Sequence, residues 1–338
     1  MSAVPVIDIS AFRGGSDEER AAVVAAVDRA ATEVGFMQIT GHGIPESVQH
    51  GLTEAMDAFF ALPMAEKLAC RPSNKAINRG YTPPKTERLS YSLGVYSPDD
   101  LFEAYNVGYQ ATDFPGLDLP EAYYPANIWP ENADMRAGVT AWFEHAAALA
   151  RTMTDIFALA LGLPADYFVK FQDHPMDVFR MNNYQLPPDD TRIEPGQLGM
   201  GAHTDYGIVT VLWADPVRGL QILDTEGGWQ DVIPAPGALL INLGDLLSRW
   251  TNDRWISTMH RVLAPIDDTG KLYRRRSAAY FHDGNHDALI TTLAGEGASS
   301  YEPVTVSEHL VQKLSGSRGL ELNQGAEREA SRLRLASS

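Results

Sequence analysis

The sequence predicts a mainly β protein with flanking helices, its core a barrel or a double-sheet jelly roll. Three observations carry that reading. From Asp177 onward, short β-rich runs alternate with turns: VFRMNNY, IVTVLWA, LQIL, WQDVI, ALLINL, HRVLA and RSAAYF. Strands this short and this closely spaced suit antiparallel sheets and not a parallel α/β sheet. Helical periodicity is confined to the first third and to one long later segment. No internal repeat is visible, so a solenoid is not expected.

In chain order, Val4 to Ile9 (VPVIDI) reads as a short strand. Residues 17–33 read as a helix: Asp17 and the glutamates after it suit a positive N-terminus, and Val23, Val24 and Val27 share a face. Gly35 stops it, Phe36 to Thr40 is a second strand, and Gly41 to Pro45 is a turn. A second helix carries Leu52, Met56, Phe59 and Phe60 as its apolar stripe, and Pro63 opens a short third helix ending near Leu68. Residues 71–132 are rich in Pro, Gly, Asn and Tyr without a long period, which predicts an irregular, functional stretch. Residues 134–161 form the longest helix, with Met135, Val139, Trp142, Phe143, Ala146, Met153, Ile156 and Phe157 as core. Gly162 and Pro164 end it. From about Gly316 to Ser338 the chain is polar and reads as a frayed helical tail. The organisation expected is a mixed α/β module over 1–125 packed on the barrel, a catalytic jelly-roll domain over 126–315, and the tail over 316–338.

Composition excludes several partners. Lys and Arg total 27 against 44 Asp and Glu, a formal charge of −17. That field repels nucleic acid and anionic lipid. It leaves a small anionic substrate open, because a few local arginines can dominate a pocket. No apolar run approaches the roughly 20 residues of a membrane span. The opening MSAVPVIDIS lacks a basic segment followed by an apolar one, so no secretory signal is expected. The single cysteine, Cys70, precludes an intrachain disulfide and suits a reducing, cytoplasmic setting.

The chemistry resides in His203-Thr204-Asp205 and in His260, 57 residues later. On a strand, residues two apart project to one side, so His203 and Asp205 would point together. A second strand bringing His260 alongside would place two imidazoles and one carboxylate on one face of a metal. Such a set with open positions points to Fe(II) and O₂ chemistry, although Zn(II) would also accept it. Fifteen residues past His260, Arg275 and Ser277 form a second pair at spacing two. A guanidinium with a hydroxyl clamps a carboxylate, here the distal one of 2-oxoglutarate. Tyr184 adds a phenol donor, and Asn182 shares its face. His42, His50, His145, His174, His286 and His309 read as structural or surface residues; His282 follows the clamp strand.

These motifs resemble the isopenicillin-N-synthase-like branch of the 2-oxoglutarate/Fe(II) dioxygenases. The resemblance runs over about residues 4–312. It rests on VPVIDIS, GFMQITGHGIP, FFALPMAEK and Arg79-Gly80-Tyr81 in the first module. In the second it rests on NIWP, ALGL, RMNNY, GAHTDYGIVTVL, GLQIL, Trp-x-x-Val-x-Pro from Trp229, INLGDLLSRWTN, STMHRV and RRRSAAYF. One departure is Gln185-Leu186, where relatives commonly place proline straight after the tyrosine. The resemblance implies a distorted double-stranded β-helix backed by helices. It implies His203, Asp205 and His260 as iron ligands, Arg275, Ser277, Tyr184 and Asn182 around 2-oxoglutarate, and O₂ as the further cosubstrate. Phe281 matches the aromatic residue that borders the substrate cavity. Arg79, Tyr81, Tyr91 and Tyr105 are further substrate candidates, although packing serves each tyrosine equally well and Arg79 reads more readily as a surface arginine. The implied reaction oxidises a C–H bond of a small metabolite by hydroxylation, desaturation or ring closure, releasing succinate and CO₂. The alternatives are an Fe(II) oxidase that does not use 2-oxoglutarate, a Zn(II) hydrolase and a non-catalytic metal-binding protein.

Overall fold

The computed structural model describes residues 4–74, 76–131, 134–186, 192–264, 266, 273–293, 299–318 and 321–323. The first part of the chain forms β1 (Val6–Asp8), α1 (Ser10–Gly14), α2 (Asp17–Glu33), β2 (Phe36–Thr40), α3 (Glu46–Phe60), α4 (Met64–Ala69), β3 (Gly80–Thr82) and β4 (Glu103–Gly108). Next come α5 (Arg136–Ala160), β5 (Val178–Asn183), β6 (Met200–His203), β7 (Val209–Ala214), β8 (Leu220–Leu223), β9 (Trp229–Asp231) and β10 (Leu239–Leu243). The last are α6 (Asp245–Trp250), β11 (His260–Val262), β12 (Arg276–His282), β13 (Leu289–Ile290), β14 (Val304–Thr305) and α7 (Val306–Ser317).

Local signals start the helices. At α2 the Glu19 backbone N–H donates to the Ser16 hydroxyl (3.3 Å) and the Ser16 N–H donates to the Glu19 carboxylate (2.8 Å). This capping box satisfies two donors that the first turn leaves open. Thr305 and Glu308 repeat the device at α7. Helix α5 buries Val139, Trp142, Ala146, Met153, Ile156 and Phe157, the apolar stripe the spacing predicts.

The strands build a jelly roll. The large sheet has the order β1-β2-β10-β7-β12-β5-β4-β3 and the smaller one β6-β11-β8-β9. All pairs are antiparallel except β1 with β2. One core, with Met37, Ile241, Val211 and Tyr280, lies between the large sheet and the helices. A second joins the two sheets through Phe36, Tyr184, Met200, Leu220, Leu240 and Val262.

Three expectations change. The stretch 71–132 is not wholly irregular, since β3 and β4 lie within it and extend the large sheet beyond β5. Their sequences, GYT and EAYNVG, are short and mix Gly with polar residues, and pairing overrides that weak local signal. The sheet also crosses the 125/126 division: strands from before it form both edges and strands from after it the middle. The tail expected from Gly316 begins inside α7, and Arg318 just beyond it is buried. Residues 319–320 and 324–338 of that tail lie outside the described residues. No described helix is long and apolar enough to cross a membrane.

Helix α3 packs on α5 through two glycines. A Cβ on Gly138 would lie 2.3 Å from the Gly51 carbonyl oxygen. Gly138→Ala should force the helices apart at a cost of about 1–3 kcal/mol, seen as a lowered Tm. An unchanged Tm would show that the contact yields without strain.

Candidate active site

The site starts where β6 pairs with β11. The antiparallel register sets His260 opposite His203, and the two ring centroids are 4.3 Å apart. His203 Nδ1 donates to the Gly201 carbonyl (2.7 Å) and His260 Nδ1 to the Thr258 carbonyl (3.0 Å). Each bond fixes the tautomer and leaves Nε2 as the free lone pair. Burial, with the neighbouring His260 adding to it, pushes the His203 pKa down to about 3. The imidazole therefore stays neutral, the form in which it ligates a metal.

Asp205 completes the set from outside the strand. Strand β6 ends at His203, so the expected His-x-Asp alternation on one strand does not hold. The loop after it is held by the start of α6: Asp245 N–H donates to the Asp205 carbonyl (2.8 Å) and Thr204 Oγ1 to the Asp245 carboxylate (3.1 Å). Asp205 Oδ1 lies 3.8 Å from His203 Nε2 and 3.7 Å from His260 Nε2. Its Oδ2 accepts from the Thr210 hydroxyl and from Asn242 Nδ2 (2.6 Å for the amide). All three ligand candidates are buried.

The triad lines a cavity of about 290 Å³ that Arg275 and Ser277 also line. Arg275 stands just before β12, fully buried, with its guanidinium 5.1 Å from the Tyr184 ring centroid. Its Nε and Nη1 have no hydrogen-bond partner. Gly219, at φ +142°, makes room for it, since a Cβ there would lie 3.0 Å from Arg275 Cδ. Ser277 sits opposite Asn182 in the β12/β5 register, and its Oγ lies 3.4 Å from Asn182 Nδ2 and 3.5 Å from the Tyr184 hydroxyl.

The substrate candidates separate. Arg79 and Phe281 line the cavity, and Arg79 is only 1% exposed, which corrects its reading as a surface arginine. Tyr81, Tyr91 and Tyr105 do not line it. The Tyr81 hydroxyl donates to Glu103 (2.6 Å), the Tyr91 hydroxyl accepts from Arg88 (2.6 Å), and the Tyr105 hydroxyl donates to the Ile128 carbonyl. Their rings pack in the interior and their polar ends are spent there.

Sequence reasoning missed other wall residues. Asn78, Glu87, Asn106, Arg180 and Arg318 all line the cavity. A polar residue inside an apolar run was the available signal for Asn242 in ALLINL and Thr210 in IVTVLW. His282 is buried, with Nδ1 2.7 Å from Asp177 and Nε2 2.6 Å from Gln172. A second group, His174, His286 and Asp287, is partly exposed, and both nitrogens of His174 already meet carboxylates.

Two family models match the chain. One, described as non-haem dioxygenase in morphine synthesis N-terminal, covers residues 4–132; the other, the 2OG-Fe(II) oxygenase superfamily, covers residues 175–284. The chain belongs to the 2OG-Fe(II) oxygenase superfamily. It is 33% identical over 318 residues to the 2-oxoglutarate-Fe(II) type oxidoreductase hxnY of Emericella nidulans, covering 91% of this chain and 88% of that protein. It is also 33% identical over 334 residues to validamycin A dioxygenase of Streptomyces hygroscopicus subsp. limoneus, covering 95% and 90%. Among solved structures, a full-length Neurospora crassa protein crystallised in complex with alpha-KG and thymine superposes with a TM-score of 0.80 at 29% identity, over 92% of this chain and 96% of that one. The protein is thus a 2-oxoglutarate- and Fe(II)-dependent oxygenase that uses O₂, with a jelly-roll core. The residues present fit those groups: two imidazole nitrogens and one carboxylate oxygen suit Fe(II), and the two orphaned donors of buried Arg275 suit a carboxylate.

Glu87 ties the wall together. Its carboxylate accepts from Arg180 Nη2 (2.7 Å) and Arg318 Nε (2.8 Å). Burial works to raise its pKa, but the two guanidiniums outweigh burial and hold it below the ordinary glutamate value. A depressed folded-state pKa adds stability above the unfolded value and loses it as pH falls through the folded one. Wild-type stability should therefore fall below about pH 4. Glu87→Gln should cost about 3–5 kcal/mol at neutral pH and show a flatter acid limb in denaturant titrations. Parallel acid limbs would contradict the assignment.

Proposed function

We propose that His203, Asp205 and His260 hold Fe(II), and that Arg275 and Ser277, with Tyr184 and Asn182 beside them, seat 2-oxoglutarate. One observation carries this reading: three free ligand atoms and the two orphaned donors of Arg275 face one buried cavity. Bound there, iron with 2-oxoglutarate and O₂ supplies the oxidising power that breaks a substrate C–H bond, with succinate and CO₂ released. The protein's part is orientation and exclusion of water. His203 and His260 are locked by their Nδ1 bonds, and Asp205 is turned by Thr210 and Asn242 so that one oxygen is free. Met200, Leu212, Leu220, Val262 and Ala279 give the cavity an apolar lining that keeps water from competing. Phe281 and Arg79 border the space left for the primary substrate.

The cavity volume limits that substrate to a small molecule. The names of the relatives, which include validamycin A and citB dioxygenases, support a place in specialised metabolism. The lone, buried, unpaired Cys70 supports a reducing cytoplasmic setting. Hydroxylation, desaturation and ring closure all begin with the same C–H cleavage, and this geometry serves each. The relatives' names, 2-oxoglutarate-Fe(II) type oxidoreductase and 2-oxoglutarate-dependent dioxygenase, favour 2-oxoglutarate use over an oxidase that draws every electron from its substrate.

Asp205→Ala should abolish iron-dependent succinate formation while the fold persists by circular dichroism; full activity would refute the ligand assignment. Asn242→Ala leaves the three ligands in place and should weaken Fe(II) binding about 10–100-fold, measured by anaerobic metal titration. Arg275→Ala should raise the KM for 2-oxoglutarate far more than that for the primary substrate, by the equivalent of about 2–5 kcal/mol. An unmoved 2-oxoglutarate KM would mean that Arg275 binds something else.

A further inference from the structure

Two arginines of the cavity are buried without a carboxylate. Arg275 is accounted for by 2-oxoglutarate; Arg79 is not. Its Nη1 donates to the Asn78 carbonyl (2.8 Å) and its Nη2 to the Tyr109 carbonyl (2.6 Å), while Nε has no partner. Among the described residues, no carboxylate forms a hydrogen bond or salt bridge with it, and Asp113 acts on it only through its field, against burial and the like charge of Arg318. The guanidinium lies close to Gly108, where a Cβ would come within 2.6 Å of its Cζ. Any side chain at 108 would therefore displace it.

The neighbouring wall adds to the excess of positive charge. Arg180 and Arg318 share the single carboxylate of Glu87, so two guanidiniums meet one acid, and Arg79 lines the same cavity. Arg318 Nη1 and Asn106 Nδ2 both donate to Asn78 Oδ1, at 2.8 and 2.6 Å. That fixes the Asn106 amide with its Oδ1 unpartnered, on a side chain that is fully buried and lines the cavity. A buried cation with no carboxylate in contact and an unmet acceptor, both away from water, are costly unless a ligand completes them. The chain as a whole carries −17, so this local reversal of sign is not a property of the general surface.

We propose that the primary substrate is a small carboxylic acid that also bears an O–H or N–H donor, its carboxylate paired with Arg79 and its donor received by Asn106 Oδ1. This rests on the oxygenase reading above and adds the chemical class of what is oxidised. Arg79 fixes one end of the molecule, and the C–H bond that reacts lies toward His203, Asp205 and His260.

The test uses the full chain loaded with Fe(II), 2-oxoglutarate and air. Succinate formation is followed with a panel of small hydroxy and amino carboxylic acids, each offered beside its own primary amide. The acids should raise the rate above the substrate-free rate, and each active acid should exceed its amide at least tenfold in kcat/KM. That comparison needs no variant. Arg79→Gln should then raise the KM for the active acid at least tenfold while moving the 2-oxoglutarate KM much less, and Arg79→Lys should recover part of the loss. Amides as good as acids, or no stimulation by any acid while substrate-free 2-oxoglutarate turnover persists, would overturn the proposal. Absence of all 2-oxoglutarate consumption in iron-loaded protein would instead overturn the oxygenase reading, and this one with it.

Discussion

The site depends on how one buried carboxylate divides its two oxygens. Asp205 Oδ2 is committed to Thr210 and Asn242, and Oδ1 is left between the Nε2 atoms of His203 and His260. The division requires β7 and β10 to be neighbours, because Thr210 and Asn242 are a register pair across them. It also requires the loop after β6 to run against the first residues of α6. A carboxylate without those donors would turn, and the three ligand atoms would no longer share a centre. The central strands of the large sheet are thus what orients Asp205, while the small sheet carries both histidines.

The cavity around that centre belongs to the whole chain. Arg79, Glu87 and Asn106 come from before α5, Arg180 from β5, Arg275 from just before β12, and Arg318 from beyond α7. Helix α7 is held at two buried ion pairs: Lys313 with Asp245 at 2.9 Å, and Arg318 with Glu87 at 2.8 Å. Asp245 in turn accepts from Thr204, next to Asp205. The C-terminal helix therefore closes the wall of the cavity and braces the loop that carries Asp205. Breaking either pair would leave a charge uncompensated in the interior, which is far more costly than losing a surface contact.

Much of this was legible in the sequence. Helices α2, α3 and α5 follow from periodicity, and the short β-rich runs after Asp177 mark most strands of the jelly roll. His203, Asp205 and His260 stood out as metal-binding types, and their strand context brought the histidines together. What escaped has physical causes. Strands β3 and β4 lack an alternating apolar pattern, since their pairing with β5 and with each other, and not propensity, makes them strands. Asp205 leaves its strand because α6 offers backbone donors to the loop, which is a tertiary effect. Of the arginine wall only Arg79 was a candidate, because Arg180 and Arg318 lie far from it in the chain and look like ordinary surface charge until the fold encloses them.

The most direct test is where iron goes. Crystals grown anaerobically with Fe(II) and 2-oxoglutarate, and measured at the iron absorption edge, should show one strong anomalous peak bounded by His203 Nε2, His260 Nε2 and Asp205 Oδ1. A 2-oxoglutarate carboxylate should lie against Arg275. A peak instead at His174, His286 and Asp287, or a central metal with Arg275 still unpartnered, would contradict the account.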